Sequence, residues 1–532
     1  MTSNDEITYI VPSLLKSAYR ACNKIQRDKF DELDVLDVDL QVCCESLFQI
    51  LKLNMENDCL DSFGDRLSMF RKVQHFSNDK FIKNICEEAA FHGHIDCMMF
   101  AREIGVPWYN SEYYGESACS QASGSGHLDC LIYAHDNGSD WDWSTCKAAA
   151  TGGHLVCLRY AHENGCSWDK ETCSSASENG HMDCLRYAHE NGCSWNEETC
   201  SSASKSGHMN CLTYAHRNGC PWDEYTCSDA ARNGQMDCLK YAHENGCPWH
   251  EETCKYAALN GHLDCLTYAH ENGCPWDEFT CADAALNGHM DCLMYAHENG
   301  CPWDSYTFCW AAQNGHMDCF IYAHENRCPW SIGTSSWVVK SGNLDFLRYA
   351  HENGCPMDEN LCSIAVRSGK LDCLRYVHEN GCTWDDYLCF SRAERGHIDC
   401  LRYAHKNGIP WNENTCYYAA LYGHLDCLRY LHENGCPWDE ETCNAAAYHG
   451  HIDCLMYAHK NGCPWNEETC SKTVKYENMD CLRYAHENGC PWDEKTCYKA
   501  AKYGHIDILR YAHENGCPWD ENTRNTWGRY LE

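Results

Sequence analysis

The chain has 532 residues, with 42 Lys and Arg against 78 Asp and Glu, for a net charge of −36. So negative a surface excludes broad binding to nucleic-acid backbones or anionic membranes. Hydrophobic residues make up 44% of the chain. No run of about 18 apolar residues suits a transmembrane helix, and residues 1–30 lack the basic-then-apolar pattern of a signal peptide. A cytoplasmic protein is expected.

In chain order, residues 1–80 come first. They mix an acidic stretch from Asp31 to Asp39 with apolar spacing at Leu47, Ile50, Leu51 and Leu53. This predicts an N-terminal helical capping region. Residues 81–519 repeat. Trp141, Trp168, Trp195 and their successors follow one another every 27 residues to Trp519, with Met357 filling one slot. Trp108 precedes Trp141 by 33 residues. Gly-His-type turns from Gly93-His94 to Gly504-His505 mark sixteen units. Residues 520–532, with Asp520, Arg524, Trp527 and Tyr530, predict a C-terminal cap helix.

One unit, residues 249–274, shows the local logic. The slot after Trp249 is usually Asp, as at Asp223 and Asp277, and Asp is a good helix N-cap. The Trp before it is expected to pack on the Cys of the first turn as a hydrophobic staple, as Trp276 on Cys281. The first helix carries Cys254, Ala257 and Ala258 on one face, small enough for a neighbouring helix to approach closely. Asn260-Gly261 ends it. The second helix carries Leu263, Cys265, Leu266, Tyr268 and Ala269, and Asn272-Gly273-Cys274-Pro275 ends it. Neither helix reaches about 12 residues, so one unit cannot stand alone. Stacked copies can bury their apolar faces as an all-α helix-turn-helix solenoid.

Thr253-Cys254, Ala257-Ala258, Gly261-His262-Leu263-Asp264, Leu266 and Asn272-Gly273-Cys274 resemble the ankyrin repeat. The resemblance covers residues 81–532 and implies an ankyrin-like solenoid with the β-hairpin finger missing from the 27-residue units. Three departures stand out. Thr-Cys replaces Thr-Pro, the segment up to Ala-Ala is one residue shorter, and the fingers are mostly absent. The Cys-Pro-Trp-Asp pattern resembles repeat families of giant DNA viruses and some protists. Such proteins also include ubiquitin-ligase adaptors, whose docking segment would fall in residues 1–80. Only Val11-Pro12-Ser13-Leu14-Leu15 approaches its start. If the chain is viral, the host cytoplasm is its expected location.

Most of the 46 cysteines fall in three columns: Cys173 and Cys200 in the first helix, Cys184 and Cys211 in the second, Cys193 and Cys220 after Asn-Gly. Cys184, His189 and Cys193 have ligand-like spacing. Cys184 and His189 nevertheless lie about 140° apart around a helix, and buried Cys acts as a small hydrophobe. Core packing is favoured over a metal-buffering array or disulfides. Histidine forms two columns: the Gly-His set (His181, His208) and the set from His135 through His162 to His513. The second is read as helix-end residues bonding carbonyls. No nucleophile–base set and no phosphate loop stands out, so no catalytic residue, metal ligand or cofactor is expected.

Variation among copies concentrates on the first helix. Tyr256, Trp310, Trp337, Phe390, Tyr417, Tyr418 and Tyr422 put aromatics there, which suits the core of a protein interface. The second helix keeps Arg-Tyr-Ala-His-Glu-Asn-Gly. The expected function is a non-catalytic interaction scaffold with a protein partner engaged through the first-helix face. The alternative is a ubiquitin-ligase substrate adaptor that contacts ligase subunits.

Overall fold

The computed structural model describes residues 85–103, 106, 108, 117–383, 394–518, 521 and 523. The expected capping region at 1–80 and nearly all of the cap at 520–532 lie outside these residues. So do residues 109–116, within the longer 33-residue spacing. Among the described residues there are 31 α-helices and no strand.

The chain divides into two compact units, Met1–Thr280 and Cys281–Glu532. Each is built of helix pairs at the sequence period. In the first unit, Trp143–Gly152 pairs with Leu155–Glu163, and Lys170–Glu178 with Met182–Glu190. In the second, Glu413–Leu421 pairs with Leu425–Glu433, and Glu440–His449 with Ile452–Lys460. Within each unit, successive first helices pack closely on one another, and successive second helices touch far less. The cause is side-chain size. The faces of the first helices that meet carry Cys, Ala, Ser and Thr, as in Cys173, Ala176 and Ser177, all fully buried.

The helix ends form as the sequence dictates. Asp169 has extended backbone, and its carboxylate accepts the Glu171 N–H at 2.9 Å. The Thr three residues past the cap closes the other half of a capping box: the Asn412 N–H donates to Thr415 Oγ1 at 3.3 Å. Both helices of a pair end in a left-handed glycine, with the next N–H reaching back five residues. His154 bonds the Ala149 carbonyl at 2.9 Å, and Cys166 bonds the Ala161 carbonyl at 3.0 Å. These closures turn the chain sharply and satisfy the last carbonyls.

The second helices seat Leu185, Leu212, Leu428 and Leu455 against the first-helix row with no exposure. Each such burial contributes about 1.5–3 kcal/mol, and it is repeated in every unit. That supplies the stability that helices of ten residues or fewer lack alone.

Candidate protein-binding face

The constant columns are consumed by packing between neighbouring repeats. The indole of Trp168 lies flat on His162, with centroids 3.8 Å apart and planes at 10°. Tyr187 of the next repeat stands edge-on to both rings, and its hydroxyl hydrogen-bonds His162 Nδ1 at 3.1 Å. Arg159 extends over the same Tyr187 ring, 5.5 Å from its centroid. The second unit repeats the cluster: His432 stacks on Trp438 at 4.0 Å, Tyr457 bonds His432 at 3.1 Å, and Arg429 covers Tyr457 at 5.5 Å. Asn164 Nδ2 donates to the Tyr160 carbonyl at 2.8 Å and completes the helix end.

This cluster extends one expectation and corrects another. The constant indole stacks on an imidazole six residues earlier, and Trp411 and Trp438 also pack against the core that holds Cys416 and Cys443. The His135-to-His513 column bonds Tyr hydroxyls, as at His135 with Tyr160 (3.1 Å), where carbonyls were expected. It is the Gly-His column that bonds carbonyls: His424 Nε2 donates to the Glu394 carbonyl of the preceding repeat at 2.9 Å. The His451 ring lies over Gly423, which sits at φ +77°, and a Cβ there would come within 2.6 Å of Nδ1. Backbone conformation and space both require glycine at that turn.

The cysteines are thiols, and every described one is buried except half-buried Cys382. Their columns take apolar residues elsewhere. Phe308 stands in the first-helix slot, Phe346 and Ile508 in the second-helix slot, and Ile409 in the loop slot, all buried. Hydrophobes fill these places as cysteines do, which is the mark of packing. Burial pushes the Cys184 thiol up to about 12, so it stays protonated and unreactive. The loop thiols also tie the repeats together. Cys193 donates to the Asp169 carbonyl at 3.0 Å, and Cys463 donates to the Asp439 carbonyl at 3.1 Å. No group of three or more His, Cys, Asp or Glu among the described residues is placed to hold a metal ion.

The aromatics of the first helices are treated differently. In the first unit, half-buried Tyr256 is held by its own surroundings. Its hydroxyl donates to Glu252 Oε2 at 2.6 Å, and Arg232 lies over the ring at 3.7 Å. In the second unit, Trp310 and Trp337 occupy equivalent places on the adjacent helices Ser305–Asn314 and Ile332–Ser341. Trp310 is half-buried, whereas Trp337 is 38% exposed with Lys340 4.6 Å from its ring. Tyr417 and Tyr418 meet edge-to-face at 5.1 Å and lean on the core of their repeats. Tyr422, at the end of that helix, is 45% exposed. Phe390 lies outside the described residues.

The structure adds residues that the sequence reading left out. Tyr448 and Tyr476 meet at 5.2 Å, His449 stacks on Tyr476 at 5.5 Å, and Lys475 lies over both tyrosine rings. Tyr476 is 53% exposed. These residues sit just before the turn that ends the first helix. That column already varied among copies and carried Tyr422.

A family model described as ankyrin repeats (many copies) matches residues 389–432 and 416–459. No curated protein matches the chain. Among solved structures, the pentatricopeptide repeat protein PPR10 from maize is similar across 100% of this chain and 96% of its own, at 12% identity and a TM-score of 0.28. The chain is a helical repeat array whose residues 389–459 match ankyrin repeats.

Proposed function

We propose that the chain is a non-catalytic scaffold that binds a partner protein through the variable face of its first helices. The observation that carries this reading is the division of aromatic residues. Trp, Tyr and His of the constant columns stack on one another between repeats. Trp337, Tyr422 and Tyr476 of the variable columns keep 38%, 45% and 53% of their surface exposed. Exposed Trp and Tyr on rigid helices suit interface anchors, because they offer large contact area at small entropic cost. The net charge of −36 favours a partner whose apolar contacts are ringed by Lys and Arg. The repeat type supports action in the cytoplasm, that of a host cell if the chain is viral. A ligase-adaptor role would rest on residues 1–80.

The test is affinity capture from cells with the full chain, the chain lacking residues 1–80, and the variant Trp310→Ala/Trp337→Ala/Tyr418→Ala. A prey held by the first two and lost by the triple variant, with helicity by circular dichroism unchanged, supports the face. Equal capture by the triple variant overturns it. Ligase subunits lost only on truncation would make the chain an adaptor.

A further inference from the structure

Met357 is the one residue other than Trp in the Trp slots from 141 to 519, and its repeat differs in a second way. At the other slots of the second unit whose Trp is described an indole covers the column histidine, as Trp411 covers His405 at 3.9 Å. His351 keeps its bond to the Tyr376 hydroxyl, at 2.9 Å. Beside it a cavity of about 220 Å³ opens, lined by His351, Met357, Tyr376, Val377, Cys382 and Thr383 among others. Cys382 is the half-buried member of a column whose other described cysteines are buried. The cavity therefore gives solvent a path to one loop thiol.

That thiol has a partner. The Cys382 thiol lies against the Cys362 thiol and donates to the Glu359 carbonyl at 3.4 Å and to the Thr383 carbonyl at 3.7 Å. Cys362 is fully buried on the first helix of the same repeat, and its sulfur reaches the Cys382 carbonyl at 3.7 Å. The Cys362 thiol beside it holds the Cys382 thiol below its ordinary value. The paired first-helix thiols likewise lower Cys274 and Cys490, but those residues are only 4% and 3% exposed. A half-buried thiol, a neighbouring thiol and an open approach coincide at the Met357 repeat.

We propose that Cys362 and Cys382 are an oxidisable dithiol, a modification site at which a small peroxide is reduced and a disulfide forms within one repeat. The Cys382 thiolate attacks a peroxide oxygen; the S–O bond forms, the O–O bond breaks, and hydroxide leaves as water after taking a proton from solvent. Cys382 is then a sulfenic acid. The Cys362 sulfur, giving up its proton, attacks Cys382; the S–S bond forms and the S–O bond breaks, releasing a second water. In sum, two thiols and one hydrogen peroxide give one disulfide and two waters, with two electrons passing from sulfur to oxygen. A dithiol reductant reverses the change.

The experiment treats the full chain with hydrogen peroxide, quenches it with iodoacetamide and follows cysteine peptides by mass spectrometry. The Cys362–Cys382 cross-link is expected to form at least about tenfold faster than Cys416–Cys436, its sealed equivalent. Cys362→Ser should leave a Cys382 sulfenic acid that dimedone traps. Met357→Trp restores the column residue, and so should fold, and is expected to slow alkylation of native Cys382 by about tenfold. Equal oxidation of the two pairs, or alkylation unchanged by Met357→Trp, overturns the proposal.

Discussion

Helices Glu440–His449 and Ile452–Lys460 belong to one repeat but answer to different constraints. The second of them reads Ile-Asp-Cys-Leu-Met-Tyr-Ala-His-Lys, and nearly all of it is accounted for. Cys454, Leu455 and Ala458 are buried, Tyr457 bonds back to His432, and His459 lies on Trp465 at 3.7 Å. The first carries an equally buried face, Cys443, Ala446 and Ala447, yet it also presents Tyr448 and His449 to the neighbouring Tyr476 at the rim of its turn. Where a side chain takes the same partner in the next repeat copy after copy it is fixed, and at the rim of the turn, where its neighbours differ, it changes from copy to copy. Repetition separates packing residues from variable ones inside a single sequence.

The contrast can be broken at several depths. Leu455→Ala removes a side chain with no exposure and should cost about 2–5 kcal/mol, read as a lower denaturant midpoint of the full chain. Trp337→Ala should cost at most about 0.5 kcal/mol by the same reading. Comparable losses would refute the division between scaffold and surface. Tyr457→Phe keeps the ring but deletes its bond to His432, and should cost about 1 kcal/mol. A neutral outcome would mean that stacking alone holds the column.

The smallest effect is pH-dependent. His216 and His459 are held below the ordinary histidine value of 6.5, first by burial and then by the adjacent Arg217 and Lys460. The unfolded chain therefore takes protons more readily than the folded one. Their contribution is full above 6.5 and is lost as pH falls through 6.5 toward the folded values. Thermal midpoints should fall modestly between about pH 7 and pH 5.5. A midpoint that rises across that window would show that protonation binds the histidines more tightly to their acidic surroundings.

Much of the architecture was legible in the sequence because it is written sixteen times. Asp169 as a cap, Gly153 as a stop and Cys184 as core all follow from local chemistry and period. The geometry of the aromatic cluster was not legible. His162 and Tyr187 are 25 residues apart, and only the pitch from one repeat to the next brings them together. The stacking partner of Trp168 was hidden for a related reason. Sequence offers an indole several apolar neighbours, and a flat imidazole at stacking distance is preferred only once the turn through Gly165 has formed. The candidate face was legible as variability, while Tyr448 and Tyr476 emerged only when the turns were placed beside each other.

The bond between His432 and Tyr457 spans 25 residues, less than the 27-residue period, and equivalents recur on either side of it. Excising one whole period within a unit would therefore leave each remaining histidine facing a tyrosine, each turn glycine under a polar side chain and each loop thiol beside a carbonyl. A deletion that is not a whole number of periods would throw the rings out of register. Unequal recombination between such similar copies can thus lengthen or shorten the protein in steps that the fold accepts, and gene length becomes a variable on which selection can act without first relearning how to fold.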